Sequence, residues 1–214
     1  MRKTFRKLSP YRPRTAQSTE SERLRRKRAP PKFLTSAEKD ALFRVIDSMR
    51  DRAIFRLAFH HGLRVSEIGM IPLSDYRKGT SLDMDQLYLR RLKGSISGDT
   101  ILVNAAATAL RAWLRIRGMA PGPIFTSRNH RAISRRRLDE LMKKYCQLAH
   151  IPREKAHFHS LKHTCGTLLL SERKESIVDV QKHLGHADIR STMIYADLTD
   201  ERNQERALRL REWR

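Results

Sequence analysis

The sequence predicts a mainly α, α+β fold with a small antiparallel sheet at one edge. Three observations carry this expectation. From Leu34 onward, apolar residues recur at helical spacing through most of the chain; one stretch, 82–103, alternates with period two; and residues that cap or stop helices stand at the junctions. The 214 residues, 39% of them hydrophobic, suit one domain with tails. The expected division is a basic flexible arm over 1–31, one folded domain over 32–199 and a C-terminal helix over 200–214.

Residues 1–31 hold too few large apolar side chains to offset their ordering entropy. RLRRKR is the densest patch, with Arg25, Arg26, Lys27 and Arg28 either contacting phosphates or forming a plain solvated tail. Thr35 or Ser36 ahead of Glu38 signals a helix start, and Ala41, Leu42, Val45, Ile46 and Met49 follow at helical spacing. A second helix over 52–61 carries Ile54, Phe55, Leu57, Ala58 and Phe59 and stops at Gly62. Ser66 is expected to cap a short helix ending before Pro72. Arg64 falls at the junction with Glu67 one turn on, so the carboxylate either holds the guanidinium fork or forms an ordinary surface ion pair.

DQLYLRRL sets Leu87, Leu89 and the apolar stem of Arg91 against Tyr88, Arg90 and Leu92, and GDTILV is its partner strand across KGSISG. Lys93 stands at that turn, as solvated surface or as a mobile cation reaching into a groove. Asn104 is expected to cap a helix that buries Leu110, Trp113, Leu114 and Ile116 and stops at Gly118; IFTS then reads as a short strand. Ser134 caps a further helix with Arg135, Arg136 and Arg137 in its first turn and Leu138, Leu141, Met142, Tyr145 and Leu148 as its core stripe. Three cations there oppose the helix macrodipole, which is tolerable if phosphates bind between them.

Forty-five Lys and Arg against 23 Asp and Glu give a formal net charge of +22. A polyanion is the expected partner, nucleic acid first, with a ribosome-associated structural protein or a solvated basic surface as alternatives. The Arg135–137 helix start is then a candidate DNA-contact element. Cys146 and Cys165 form no C-x-x-C pair and read as reduced core thiols. No window approaches a run of about 18 apolar residues, and no apolar region follows the N-terminal cations, so no membrane partner and a cytoplasmic location are expected.

The chemistry concentrates in 157–195. HSLKHTCGTLLL is an amphipathic helix placing His159, Lys162 and His163 within one turn, with Leu168, Leu169 and Leu170 in the core. A helix over 177–184 ends at Gly185, and His186 follows at its C-terminus. Tyr195 comes nine residues later, beside Met193 and Ile194 as packing residues. A phenol, imidazoles and cations, without paired carboxylates or a Gly-rich loop, suit an anionic electrophile such as a phosphodiester. A metal site from His157, His159, His163 and His186 is the alternative, weakened by the lack of a carboxylate or cysteine at helpful spacing.

GLRVSE with Arg64, Lys93 in its hairpin turn, HSLKHT with His159, LGH with His186, and Tyr195 in STMIY together resemble the catalytic domain of the tyrosine recombinase (phage integrase) family over about residues 34–195. The resemblance implies an α+β, mainly α catalytic domain with a three-stranded antiparallel sheet on one edge. It implies Tyr195 as nucleophile forming a 3′-phosphotyrosyl link, Lys93 as general acid, Arg64 on the phosphate oxygens, and His159 and His186 as phosphate hydrogen-bonding partners that assist proton movement near neutral pH. Glu67 and His163 would support them, and no cofactor, metal or ATP would be needed.

Two departures accompany the resemblance. Lys162 stands where the family has a second catalytic arginine, replacing a bidentate clamp by a point charge at a cost of about 1–3 kcal/mol of transition-state stabilisation unless the site has adapted. The family also commonly carries a helical core-binding domain, where this chain is expected to have only its basic arm, so an accessory core-binding or DNA-bending protein is an expected partner.

The implied function is site-specific recombination or integration on double-stranded DNA, by a homo-tetramer of bacterial, phage or mobile-element origin acting at the nucleoid. A DNA-binding protein derived from a recombinase, and type IB topoisomerase-like nicking and religation, are the alternatives. In the tail, Leu210 and Trp213 share a face that packs on its own domain or, as the resemblance implies, in a neighbouring protomer.

Overall fold

The computed structural model describes residues 31–127, 129, 131–196 and 211. The arm with Arg25, Arg26, Lys27 and Arg28, and the tail with Leu210 and Trp213, lie outside these residues. Helix α1 (Ser36–Val45) starts as its sequence dictates: Glu38 N donates to Thr35 Oγ1 at 3.2 Å and Thr35 N to Glu38 Oε2 at 2.8 Å, a reciprocal capping box. Helix α2 (Met49–His60) begins three residues before the expected Arg52, because Ser48 accepts from Asp51 N and caps it. Met49, expected in the stripe of α1, is therefore the exposed first residue of α2. Gly62 ends α2 at φ 55°, and the next helix, α3 (Val65–Ile68), has Arg64 rather than Ser66 at its N-cap.

The sheet is β1 (Tyr76–Arg77), β2 (Gln86–Leu89) and β3 (Gly98–Ile101), antiparallel in the order β1-β2-β3. Leu87 and Leu89 face inward, as the alternation predicted. Tyr76 and Arg111 both donate to buried Asp85, which ties the sheet to α4 (Asn104–Arg117). Val103, not Asn104, occupies the N-cap of α4. Ile116 is 63% exposed, because it stands only two residues from Leu114 and so falls on the opposite side of the helix. IFTS contributes buried Ile124 and Phe125 and one isolated bridge, Thr126 to Ala132, rather than a strand.

Ser134 caps α5 (Arg135–Leu148) as expected; Leu148 is exposed at its last position. Then come α6 (His159–Ser171), α7 (Ile177–Leu184) and α8 (Arg190–Ala196). The main core centres on α2, which packs against α4 and α6, with Phe55 edge-on to Tyr145 and Phe158. A smaller cluster of Cys165, Leu170, Val180, Leu184 and Tyr195 fills the space between α6, α7 and α8. Met193 and Ile194 are exposed rather than packed, since α8 turns only Thr192 and Tyr195 inward. No described helix is long and apolar enough to cross a membrane.

Candidate active site

Arg64 is fixed by its position at a helix start. Its backbone N donates to Glu67 Oε2 at 2.8 Å and its Nη1 to Glu67 Oε1 at 2.9 Å, Leu92 O at 3.1 Å and Ser95 Oγ at 2.9 Å. Glu67, 1% exposed, also accepts from Leu92 N at 3.0 Å. Burial alone would raise its pKa, but the backbone N–H groups of Arg64 and Leu92, the Arg64 side chain and the charge of Arg91 hold it below the usual carboxylate range. The carboxylate stays ionised, so Arg64 is a pre-oriented fork and not a loose surface pair. One edge is tied to protein, and the side chain remains 20% exposed.

Lys93 is the exposed tip of the hairpin turn, at φ 58°. The turn around it is pinned rather than free: Leu92 and Ser95 meet Glu67 and Arg64, and Ile96 N donates to Gly185 O at 3.0 Å.

On α6 the three site residues part company. His159 is exposed and meets His163 edge-on, with ring centroids 4.4 Å apart. Lys162 is 2% exposed, and its Nζ donates to Leu184 O at 2.9 Å, the last residue of α7. Desolvation, reinforced by the charges of Arg64 and Arg91, lowers its pKa to about 7. His163 Nδ1 lies 3.1 Å from the Tyr195 hydroxyl, and burial lowers its pKa to about 4, so the ring is a neutral hydrogen-bonding partner of the phenol.

Tyr195 is 1% exposed, and its burial raises the phenol pKa well above the usual value. Its ring lies against the backbone of α6 at Gly166. A Cβ there would stand 2.6 Å from Tyr195 Cε2, which explains a glycine in mid-helix despite a cost of about 1 kcal/mol in helix propensity. The His186 ring lies nearly parallel to that of Tyr195, its centroid 6.4 Å away at 14°, with Nδ1 held 2.9 Å from Thr192 Oγ1. Desolvation, then the charges of Lys162, Arg64 and Arg91, push its pKa down to about 3.

The fold thus brings together Arg64, Glu67, Lys162, His163, His186 and Tyr195, with His159 and Lys93 at the rim. Desolvation, then the charges of Lys162, Arg64 and Lys93, lower the pKa of His159. Arg135, Arg136 and Arg137 stand apart on α5, exposed and paired with Asp139 and Glu140 at i+3 and i+4. Among the described residues no group of three or more His, Cys, Asp or Glu is arranged to hold a metal ion.

Sequence reasoning missed Ser95, Gly166 and Thr192, and saw only the stem of Arg91. Gly166 carried a readable signal, a glycine inside a helical run; Arg91 carried another, a charge on the inward face of a strand pattern. Nothing local marks Ser95 or Thr192.

The phage integrase family model matches residues 32–202. Tyrosine recombinase XerC of Caldanaerobacter subterraneus subsp. tengcongensis is 31% identical over 182 residues, covering 82% of this chain and 50% of the relative. Type 1 fimbriae regulatory protein FimB of Escherichia coli K12 is 31% identical over 171 residues, covering 76% of this chain and 82% of the relative. The chain therefore spans about half the length of XerC and most of FimB. The crystal structure of XerH site-specific recombinase bound to palindromic difH substrate, a post-cleavage complex, shares the fold at a TM-score of 0.70 and 23% identity, over 83% of this chain and 53% of that one.

Proposed function

The chain belongs to the phage integrase family, and on that premise we propose that it is a DNA strand transferase acting as a site-specific recombinase. The observation that carries this reading is the contact of Tyr195 with both His163 and His186, in a site whose guanidinium is held by a buried carboxylate. The charge of +22 and the complex of XerH site-specific recombinase with its palindromic difH substrate support double-stranded DNA as substrate.

In the proposed step the Tyr195 oxygen attacks the scissile phosphorus. Its proton passes to neutral His163, 3.1 Å away. The P–O5′ bond breaks, Lys93 protonates the leaving oxygen, and a 3′-phosphotyrosyl link keeps the bond energy for rejoining to another 5′-hydroxyl. The open edge of Arg64, with His159 and His186, receives the charge that builds on the non-bridging oxygens. A phenol 1% exposed cannot meet DNA where it lies, so binding must shift α8 or what covers it. Arg135, Arg136 and Arg137 would exchange their carboxylate partners for phosphates, and the segment containing Arg25, Arg26, Lys27 and Arg28 would add salt-dependent grip. A tetramer on two sites, with exchange of the C-terminal helix and an accessory core-binding protein, completes the proposal. Neither the DNA-binding-only reading nor the topoisomerase-like one is favoured.

The test is denaturing-gel detection of a covalent complex between the chain and duplex DNA from the borders of the element that encodes it. Tyr195→Phe is expected to abolish the complex while leaving binding largely intact; trapping by the variant at the wild-type level would overturn the assignment.

A further inference from the structure

We propose that Arg91 is a positioning residue for the reaction, joining the Arg64 and His186 sides of the site through its buried guanidinium and so fixing the turn that presents Lys93. The proposal rests on the reading of Lys93 as the proton donor to the leaving oxygen.

Arg91 has a side chain only 4% exposed, although a guanidinium keeps its charge in any protein. Its carboxylate partner, Glu67 at 3.4 Å, is already engaged at 2.9 Å by Arg64. Its shorter bonds go to main-chain carbonyls: Nη2 donates to His61 O at 2.8 Å and Nη1 to Gly62 O at 3.1 Å, while Nη2 also reaches His183 O at 3.3 Å. Those carbonyls close the C-terminal ends of α2 and α7, where the helix macrodipole favours a cation. A requirement for stability alone would be met as well by a long apolar side chain, since burying an ion carries a desolvation cost that packing does not.

What distinguishes this cation is its location. The end of α2 leads directly into Arg64, the end of α7 leads through Gly185 into His186, and Arg91 lies two residues before Lys93. Gly185, at φ 66°, lets the Arg91 stem pass: a Cβ there would stand 3.1 Å from both Arg91 Nε and Ile96 O. Arg91 N also donates to Ser97 Oγ at 2.9 Å, closing the loop behind the turn. The turn is therefore tied at Arg91, Leu92, Ser95 and Ile96, leaving Lys93 and Gly94 to project.

The test compares single-turnover cleavage by the full chain on two suicide duplexes spanning its mapped cleavage site. One carries the natural scissile phosphodiester, and the other has sulfur in place of the bridging 5′ oxygen, whose thiolate departs without a proton. Lys93→Ala should be slow on oxygen and restored on sulfur; lack of restoration would overturn the general-acid reading and not the wiring of Arg91. Given that restoration, Arg91→Met should lose about 10²-fold on the oxygen substrate, the scale of general acid catalysis, and recover most of that loss on sulfur. Arg91→Lys, which can reach one carbonyl but not three, should fall between. An equal loss on both substrates, or no loss on oxygen, would overturn the proposal. If Arg91→Met does not fold, Arg91→Lys carries the same oxygen-to-sulfur comparison.

Discussion

On the Arg64 side of the site charge is kept, and on the Tyr195 side it is suppressed. Arg64 and Glu67 sit at a helix start where main-chain N–H groups stabilise the carboxylate, and the carboxylate in turn stabilises the guanidinium. Lys162, His163 and His186 lie among apolar side chains and other cations, and each is driven towards its neutral form. The same desolvation acts on both sides; the difference is one buried carboxylate. One side holds fixed charge, and the other holds a phenol and its neighbouring imidazoles uncharged.

The sharpest way to break this contrast is Arg64→Ala. On the proposed role, loss of a fixed donor to the transition-state oxygens should slow covalent-complex formation by about 10²–10³-fold, and the melting temperature should fall too, because buried Glu67 loses its nearest cation. A folded variant that forms the complex at the wild-type rate would place Arg64 in the frame and not in the chemistry.

Acid should expose the other side. His60 and His163 have pKa values lowered to about 4, and His61 and His186 to about 3, in each case chiefly by burial. Unfolded histidines titrate near ~6.5. Their contribution is fully present above that pH and is lost as pH falls through it towards the folded values, because the unfolded chain then binds more protons. Urea midpoints should therefore drop between pH 7 and pH 5, and a flat profile would show that these rings titrate normally.

Gly166→Ala tests the seat of the phenol with less force. The added Cβ must displace the Tyr195 ring, a strain of about 1–3 kcal/mol that outweighs the gain in helix propensity. The melting temperature should fall by several degrees, and Tyr195 should become reactive to tetranitromethane in a peptide map. Unchanged reactivity would mean the ring does not rest there.

The most local test is Lys162→Met. With the folded pKa lowered to about 7 and the unfolded value near ~10.4, the unfolded chain binds more protons between them, so stability rises with pH across that window. Wild type should gain on Lys162→Met in thermal melts taken from pH 7 to pH 9. Parallel curves would mean the ammonium is not penalised by its surroundings.

These contrasts were only partly legible in the sequence. Caps were legible where donor and acceptor are close in the chain: Thr35 with Glu38, Ser134 ahead of its helix, and Gly185 as a left-handed stop. The pairing of Arg64 with Glu67, three residues apart, was legible for the same reason. Spacing put Lys162 on a common face with His159, but not the turn of its chain towards Leu184, 22 residues away, because that depends on where α7 packs. Met193 and Ile194 were misread as core because apolarity beside a buried tyrosine does not reveal which way a two-turn helix faces. Arg91 was half-read: alternation gave its direction, while its carbonyl partners at His61 and His183 lie 30 and 92 residues distant.

Those partners share a further property. Arg91 grips the carbonyls of His61, Gly62 and His183, Lys162 that of Leu184, and Arg64 that of Leu92, each through its side chain. Every residue type offers that same oxygen. Substitutions at His61, Leu92, His183 or Leu184 that spare the backbone path leave each acceptor in place. These grips therefore place no demand on the side chains of the gripped positions, which answer only to their own packing, while the side chains that do the gripping cannot be exchanged freely.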